Sequence, residues 1–151
     1  MPDRITVDDR FTIEVAPPSA ERLAELAQEG FRSVVSLRTR GEANEILSPD
    51  REGEVARQHG LTFVNLPVSP QDISDAAADR FNEEVARLPG PVVVHCASGL
   101  RAGIFTFMHV ARRQGWAGDE AVKKAEQLGF AFSTAEAKDF FKRYVDRGKA
   151  K

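Results

Sequence analysis

A three-layer α/β/α domain on a central, mostly parallel sheet of four to five strands is the fold class this sequence predicts, and three observations predict it. Short runs such as Ser33-Val34-Val35-Ser36-Leu37, Leu61-Thr62-Phe63-Val64-Asn65-Leu66 and Pro91-Val92-Val93-Val94-His95 are too brief for helices and too apolar for loops. Stretches with apolar residues at helical spacing separate them, as crossovers between parallel strands require. No repeat, low-complexity block or linker interrupts the 151 residues, so a single domain over 1–151 is expected.

The elements follow in order. Ile5-Thr6-Val7 and Phe11-Thr12-Ile13-Glu14-Val15 are β-prone patches separated by Asp8-Asp9, and read as a strand or short hairpin. Pro17-Pro18 ends it, Ser19 is placed to cap a helix carrying Leu23, Leu26 and Ala27, and Gly30 stops that helix. The Ser33–Leu37 strand runs into Arg38-Thr39-Arg40-Gly41-Glu42. Ser48-Pro49-Asp50 opens a helix with Val55 and Ala56 inside, which stops at Gly60.

After the Leu61–Leu66 strand comes a polar loop, Ser69 to Asp75. Ala78, Phe81, Val85 and Leu88 then fall on one helical face that closes at Pro89-Gly90. The Pro91–His95 strand leads to a helix from about Leu100 to Gln114, whose apolar positions nearly surround it and mark it as the most buried. Asp119 opens a helix that ends at Gly129. Ser133 and Glu136 have capping-box spacing for the last one, with Phe140, Phe141, Tyr144 and Val145 inside and 146–151 as a frayed tail.

Composition narrows the function classes. A formal net charge of −2 gives no global attraction to nucleic acid or to an anionic membrane, so any anion site must be local. The N-terminal residues lack the apolar run of a signal peptide, and no stretch approaches a membrane span; a cytoplasmic location is expected. One cysteine excludes an internal disulfide and any zinc site with several thiolates. His59 and His109 stand without the spaced partners a metal site needs, and no cofactor is implied.

That cysteine is where the chemistry concentrates. In His95-Cys96-Ala97-Ser98-Gly99-Leu100-Arg101, an apolar strand delivers a thiol to the start of a helix. Backbone amides of Ala97, Ser98, Gly99 and Leu100 and the helix dipole would form an anion-binding concavity that favours a thiolate. Arg101 adds a planar, permanently charged fork matched to phosphate-like oxygens. Together they point to nucleophilic chemistry on a tetrahedral oxyanion. His95, by strand alternation, faces the opposite side of the sheet and takes a supporting role. Arg38 lies at the carboxyl end of its strand, where ligand crevices of parallel sheets form, and is a second supporting candidate; Arg40 reads equally well as a solvated loop residue.

The His95-Cys96 pair followed by Gly99 and Arg101 resembles the signature loop of cysteine-dependent phosphatases of the tyrosine and dual-specificity group. It is most similar to the small bacterial branch named after the phosphatase-like domain of beta-lactamase-hydrolase-like proteins. The resemblance also takes in Gly30-Phe31 to Arg38 with Glu42, and Phe63 to Val68, so it spans roughly residues 10 to 115. It implies a phosphatase-like fold and hydrolysis of a phosphomonoester on a phosphorylated protein or small molecule, with Cys96 as nucleophile. Ala97, Ser98, Gly99, Leu100 and Arg101 would hold the phosphate. In that family an acid that protonates the leaving group follows the strand matching Phe63–Leu66; Ser69-Pro70 stands there, and the resemblance makes Asp72, the nearest carboxylate, the candidate catalytic acid.

Two departures are visible. Four residues separate Cys96 from Arg101 where the phosphatase loop usually has five, and Ala102 replaces the usual hydroxyl residue after the arginine. Short loops of this kind also resemble those of rhodanese-type sulfurtransferases, in which Cys96 would carry a persulfide taken from a sulfur donor. A weakly catalytic anion-binding module is the third alternative.

Overall fold

The computed structural model describes residues 1–43 and 45–150. Among these residues five strands and six helices follow in the order β1 (Arg4–Thr6), β2 (Phe11–Glu14), α1 (Ala20–Gln28), β3 (Ser33–Ser36), α2 (Pro49–Gln58), β4 (Thr62–Asn65), α3 (Asp75–Ala86), β5 (Val92–His95), α4 (Leu100–Gln114), α5 (Gly118–Gln127) and α6 (Ala135–Ala150). The strands form one sheet in the order β1-β2-β5-β3-β4. Only the β1–β2 hairpin is antiparallel, with Asp8 Oδ1 accepting from the Arg10 and Phe11 amides in its turn. The other three pairings are parallel, as the alternating pattern requires.

Strand alternation sorts side chains into two apolar layers. Val34 and Val93 face α1 and α2, where they pack with Leu23, Leu26, Val55 and Ala56. Val35, Val92 and Val94 face the other side with Phe81, Phe105, Phe107 and Met108, beneath α3 to α6. β5 is buried at all four positions because strands flank it and helices cover both faces. Helix α4 is buried without interruption from Arg101 to Ala111, which matches its all-round apolar pattern.

Ser19, Ser48 and Ser74 each accept a hydrogen bond from the amide three residues on, so three helices begin where a hydroxyl satisfies an orphan amide. The start of α6 corrects the sequence reading. Thr134, and not Ser133, is the cap: its hydroxyl accepts from Ala137 N at 3.0 Å. The tail expected to fray from Asp146 is helical to Ala150. Asp146 accepts from Gly118 N at 2.7 Å and Arg147 pairs with Asp75, which tie this last stretch to α5 and α3.

Candidate active site

β5 ends in the middle of the sheet, between the carboxyl ends of β2 and β3, and the chain then turns into α4. Gly99 makes the turn possible. It adopts φ 93° and ψ −12°, and a Cβ there would meet Val15 and Met1 at 3.3 Å. Cys96 is fully buried under this turn, on the α4 side of the sheet. Its Sγ accepts from Gly99 N at 3.2 Å and Ala102 N at 3.4 Å, so the thiol lies against the N-terminus of a 15-residue helix, where the dipole favours negative charge.

Arg101, 5% exposed, is engaged from several directions. Its Nη1 donates to Val68 O at 2.8 Å and Leu37 O at 3.3 Å, and both terminal nitrogens donate to Glu42 at 2.8 and 2.7 Å in a bidentate pair. Glu42 also accepts from the Thr39 amide at 2.6 Å and the Thr39 hydroxyl at 2.7 Å. Burial alone would raise the Glu42 carboxyl, but the Arg101 and Thr39 hydrogen bonds outweigh it and lower it to about 2. Burial likewise opposes the Arg101 charge, and the Glu42 bonds, helped by the nearby Cys96 sulfur, raise its pKa nonetheless.

Arg38 is buried, and its Nη2 donates to the carbonyls of Glu42 at 3.4 Å and Ala43 at 3.2 Å. It therefore braces the loop that carries Glu42. Asn65 adds a second brace, donating through Nδ2 to Ser36 O and Arg38 O at 3.0 Å each.

Above the cysteine loop lies an open hollow of about 260 Å³ lined by Glu42, Ala43, Pro70, Ile73, Ala97, Ser98, Leu100 and Arg101. Ala97, Ser98, Leu100 and Arg101 thus line one hollow, with Ser98 exposed and Gly99 buried beneath. The loop after β4 reaches the hollow through Pro70 and Ile73, and Asp72 is not among the lining residues. Asp72 is exposed, and its amide donates to Ser69 O within its own turn. Glu42 is the one carboxylate in the lining among the described residues. The described residues contain no group of three or more His, Cys, Asp or Glu side chains arranged to hold a metal, and no helix long and apolar enough to cross a membrane.

Residues 5–112 match the family described as the beta-lactamase hydrolase-like protein, phosphatase-like domain. The chain belongs to this family. Curated relatives of this phosphatase-like domain include the beta-lactamase hydrolase-like protein of Xylella fastidiosa, 33% identical over 98 residues, and that of Agrobacterium fabrum, 31% identical over the same length. The match covers 65% of this chain and 22% of each relative, so the chain corresponds to about a fifth of those longer proteins.

Solved structures share the fold. Tk-PTP in its active form has a TM-score of 0.74 at 23% identity, covering 97% of this chain and 98% of that one. Pseudomonas aeruginosa TpbA in complex with phosphotyrosine has a TM-score of 0.74 at 20% identity, covering 98% and 90%. The phosphatase-like domain therefore has the cysteine-phosphatase fold that the sequence predicts.

Two residues of this phosphatase-like domain escape a sequence reading. Glu42 carries no local signal for its pairing with Arg101, because the two are 59 residues apart and meet through the sheet. Glu52 did carry one. It stands at helical spacing with Val55 and Ala56, a charge on the apolar stripe of α2, and the structure buries it at 2% exposure with His95 Nε2 at 2.5 Å from its Oε2.

Proposed function

We propose that this domain is a cysteine-dependent phosphatase, hydrolysing a phosphomonoester through a phosphocysteine intermediate. The single observation that carries the reading is the placement of Cys96 Sγ against the amides of Gly99 and Ala102 at the head of α4, with Arg101 at the edge of the same hollow. Sγ would attack phosphorus, the bond to the leaving oxygen would break, and water would then release phosphate and restore the thiol. Loop amides and the Arg101 guanidinium would carry the charge on the equatorial oxygens.

The leaving group is constrained by the lining. Glu42, lowered to about 2, holds no proton to donate near neutral pH, and Asp72 lies outside the hollow. Substrates whose leaving oxygen departs as a stabilised anion suit such a site, and an aryl phosphate of the phosphotyrosine type is the substrate class we assign. The apolar wall of Pro70, Ile73, Leu100 and Ala43 fits an aromatic ring. TpbA, of the same fold, binds phosphotyrosine in the structure cited above.

A second reading rests on a specific observation: among the described residues the only carboxylate lining the hollow is Glu42, which is ionised, and Ala102 offers no hydroxyl to a departing thiolate. Sulfur transfer needs neither an acid nor that hydroxyl. Cys96 would attack the sulfane sulfur of thiosulfate, the S–S bond would break with sulfite leaving, and the persulfide would rest against the Gly99 and Ala102 amides.

Hydrolysis of p-nitrophenyl phosphate by wild type and Cys96→Ser, side by side, tests the first reading. Turnover lost in the variant supports it. No turnover in either, with a gain of one sulfur atom on Cys96 after thiosulfate, replaces it with the second. Phosphate binding that Arg101→Ala removes, without turnover of either substrate, would leave an anion-binding module.

A further inference from the structure

A second hollow, of about 370 Å³, adjoins the one above Cys96, and the chemistry above does not use it. Pro70 and Ile73 line both, so the loop between β4 and α3 is their common wall. The first half of α6 supplies Glu136, Ala137, Phe140 and Arg143 to the second hollow. Its position is fixed by the residues that follow. Tyr144 donates through its hydroxyl to Asp79 Oδ1 at 2.5 Å and accepts from Asn82 Nδ2 at 2.8 Å, and Arg147 pairs with Asp75. All three partners lie on α3, the helix that begins where the shared wall ends, so the groove is formed before any ligand arrives.

The lining combines an apolar surface with one uncommitted cation. Ile73, Ala137 and Phe140 are half-buried, and the Phe140 ring stacks on Tyr144 with centroids 6.2 Å apart. Among the described side chains of α6, Lys138 pairs with Glu126, Lys142 with Asp119 and Arg147 with Asp75, whereas no carboxylate pairs with Arg143. Arg143 is exposed, and Asp139, one turn before it, lies outside the lining. Glu136 is the carboxylate within the lining. Seven residues along a helix separate it from Arg143 by about 10 Å, more than the Debye length of about 8 Å at physiological ionic strength. An acid seated beside Arg143 therefore meets the guanidinium charge and little of Glu136. The same 10 Å is the reach of about three extended residues, so the groove is long enough for a short stretch of polypeptide.

We propose, resting on the reading of the Cys96 hollow as a site for an aryl phosphate, that this groove holds the chain flanking a phosphorylated tyrosine and that Arg143 selects an acidic residue within it. The phosphorylated ring enters the first hollow, the neighbouring residues pass over Pro70 and Ile73, and their apolar parts lie on Ala137 and Phe140. Arg143 is then a specificity residue that never touches the reacting atoms.

Binding and turnover are measured separately, so the groove and the catalytic reading fail independently. Fluorescence anisotropy follows a labelled peptide of phosphotyrosine with three alanines on either side, and six versions each carrying one glutamate in place of an alanine. The proteins are Cys96→Ser and Cys96→Ser with Arg143→Gln. We expect at least one glutamate peptide to bind Cys96→Ser about fivefold tighter than the all-alanine parent, the gain of one exposed ion pair, and this advantage to fall below twofold once Arg143 is replaced. Glutamate peptides all within twofold of the parent, no binding of any peptide, or a preference that survives Arg143→Gln would each overturn the proposal. Should the double variant fail to fold, the preference of Cys96→Ser is read with and without 0.5 M salt: a preference that salt abolishes supports the proposal, and one that salt leaves in place overturns it. Turnover of p-nitrophenyl phosphate by wild type judges the catalytic reading alone. Turnover without a glutamate preference strikes only the groove, and a preference lost with Arg143 in a protein that turns nothing over supports the groove and strikes the phosphatase.

Discussion

Replacing Glu42 by Gln removes one charge from the bidentate pair with Arg101 while keeping the shape of the side chain. With the carboxyl lowered from 4.5 to about 2, the linkage between ionisation and folding amounts to about 3 kcal/mol at neutral pH. The Glu42 side chain keeps 13% exposure, so screening reduces this; the amide oxygen of Gln also still accepts from Arg101. We therefore expect Glu42→Gln to lose about 2 kcal/mol, because a 6%-exposed guanidinium keeps its carbonyl partners but loses its counter-ion. The sign follows from the direction of the shift. A carboxyl whose folded value is depressed stabilises the fold above its unfolded value, and that contribution is lost as pH falls from about 4.5 toward 2. Urea unfolding of wild type and variant at pH 7, 4 and 3 measures it, and the gap between them should close toward the acid end. A gap below about 0.5 kcal/mol at pH 7, or one that stays constant to pH 3, would refute the reasoning.

Other perturbations have equally definite outcomes. Asp72→Asn should leave turnover and its pH profile within about twofold, since the side chain is outside the hollow; a loss of 100-fold or so, as expected for a general acid, would place it in the reaction. Gly99→Ala forces a Cβ into a φ of 93° against Val15 and should cost about 1–2 kcal/mol and slow Cys96 alkylation, read by thermal unfolding and iodoacetamide labelling. Gly103→Ala puts a methyl group into the Phe130 ring, itself packed on Phe107 and Phe132, and should destabilise by about 1–3 kcal/mol in urea despite the better helix propensity of alanine. His109 is lowered to about 4, chiefly by burial and then by the charges of Arg113 and Arg10. The unfolded chain therefore binds its proton first, and stability should fall by about 2 kcal/mol between pH 7 and 5, a loss that His109→Gln removes when urea midpoints are compared.

How much of this was legible in the sequence depended on the range of the interaction. The Val92–His95 strand, the Gly99 turn and the Leu100–Gln114 helix could be read because β-branched runs, glycine and apolar spacing act within a few residues. Thr134 displaced Ser133 as the cap of α6 because either hydroxyl satisfies the local pattern, and only the docking of the helix selects between adjacent positions. Asp72 is a different case. Nearness in sequence to a strand end put it beside the site, yet the turn made by Ser69 and Asp72 presents Pro70 and Ile73 to the hollow instead. Glu42 was visible in a charged loop and among the residues that carry the family resemblance, but its pairing with Arg101 was not, because that pairing depends on which strands are neighbours.

That dependence is a matter of register. β3 and β5 are adjacent and parallel, with Ser36 opposite His95, so the chain segments leaving both strands emerge at the same end and level of the sheet. Leu37 N donates to His95 O and Leu37 O accepts from Arg101, which carries the pairing past the last ladder residues and into the site. Glu42, held by Thr39 and by Arg38, then arrives opposite the guanidinium. A slip of β3 by one residue would turn Val35 toward α1 and α2 and Val34 toward α4, breaking both apolar layers, and would displace the Leu37 carbonyl from Arg101 by about 3.3 Å. The two apolar layers that fix the register of β3 therefore also fix the Arg101–Glu42 pair, so core packing and the charge geometry beside Cys96 are set by the same strand alignment.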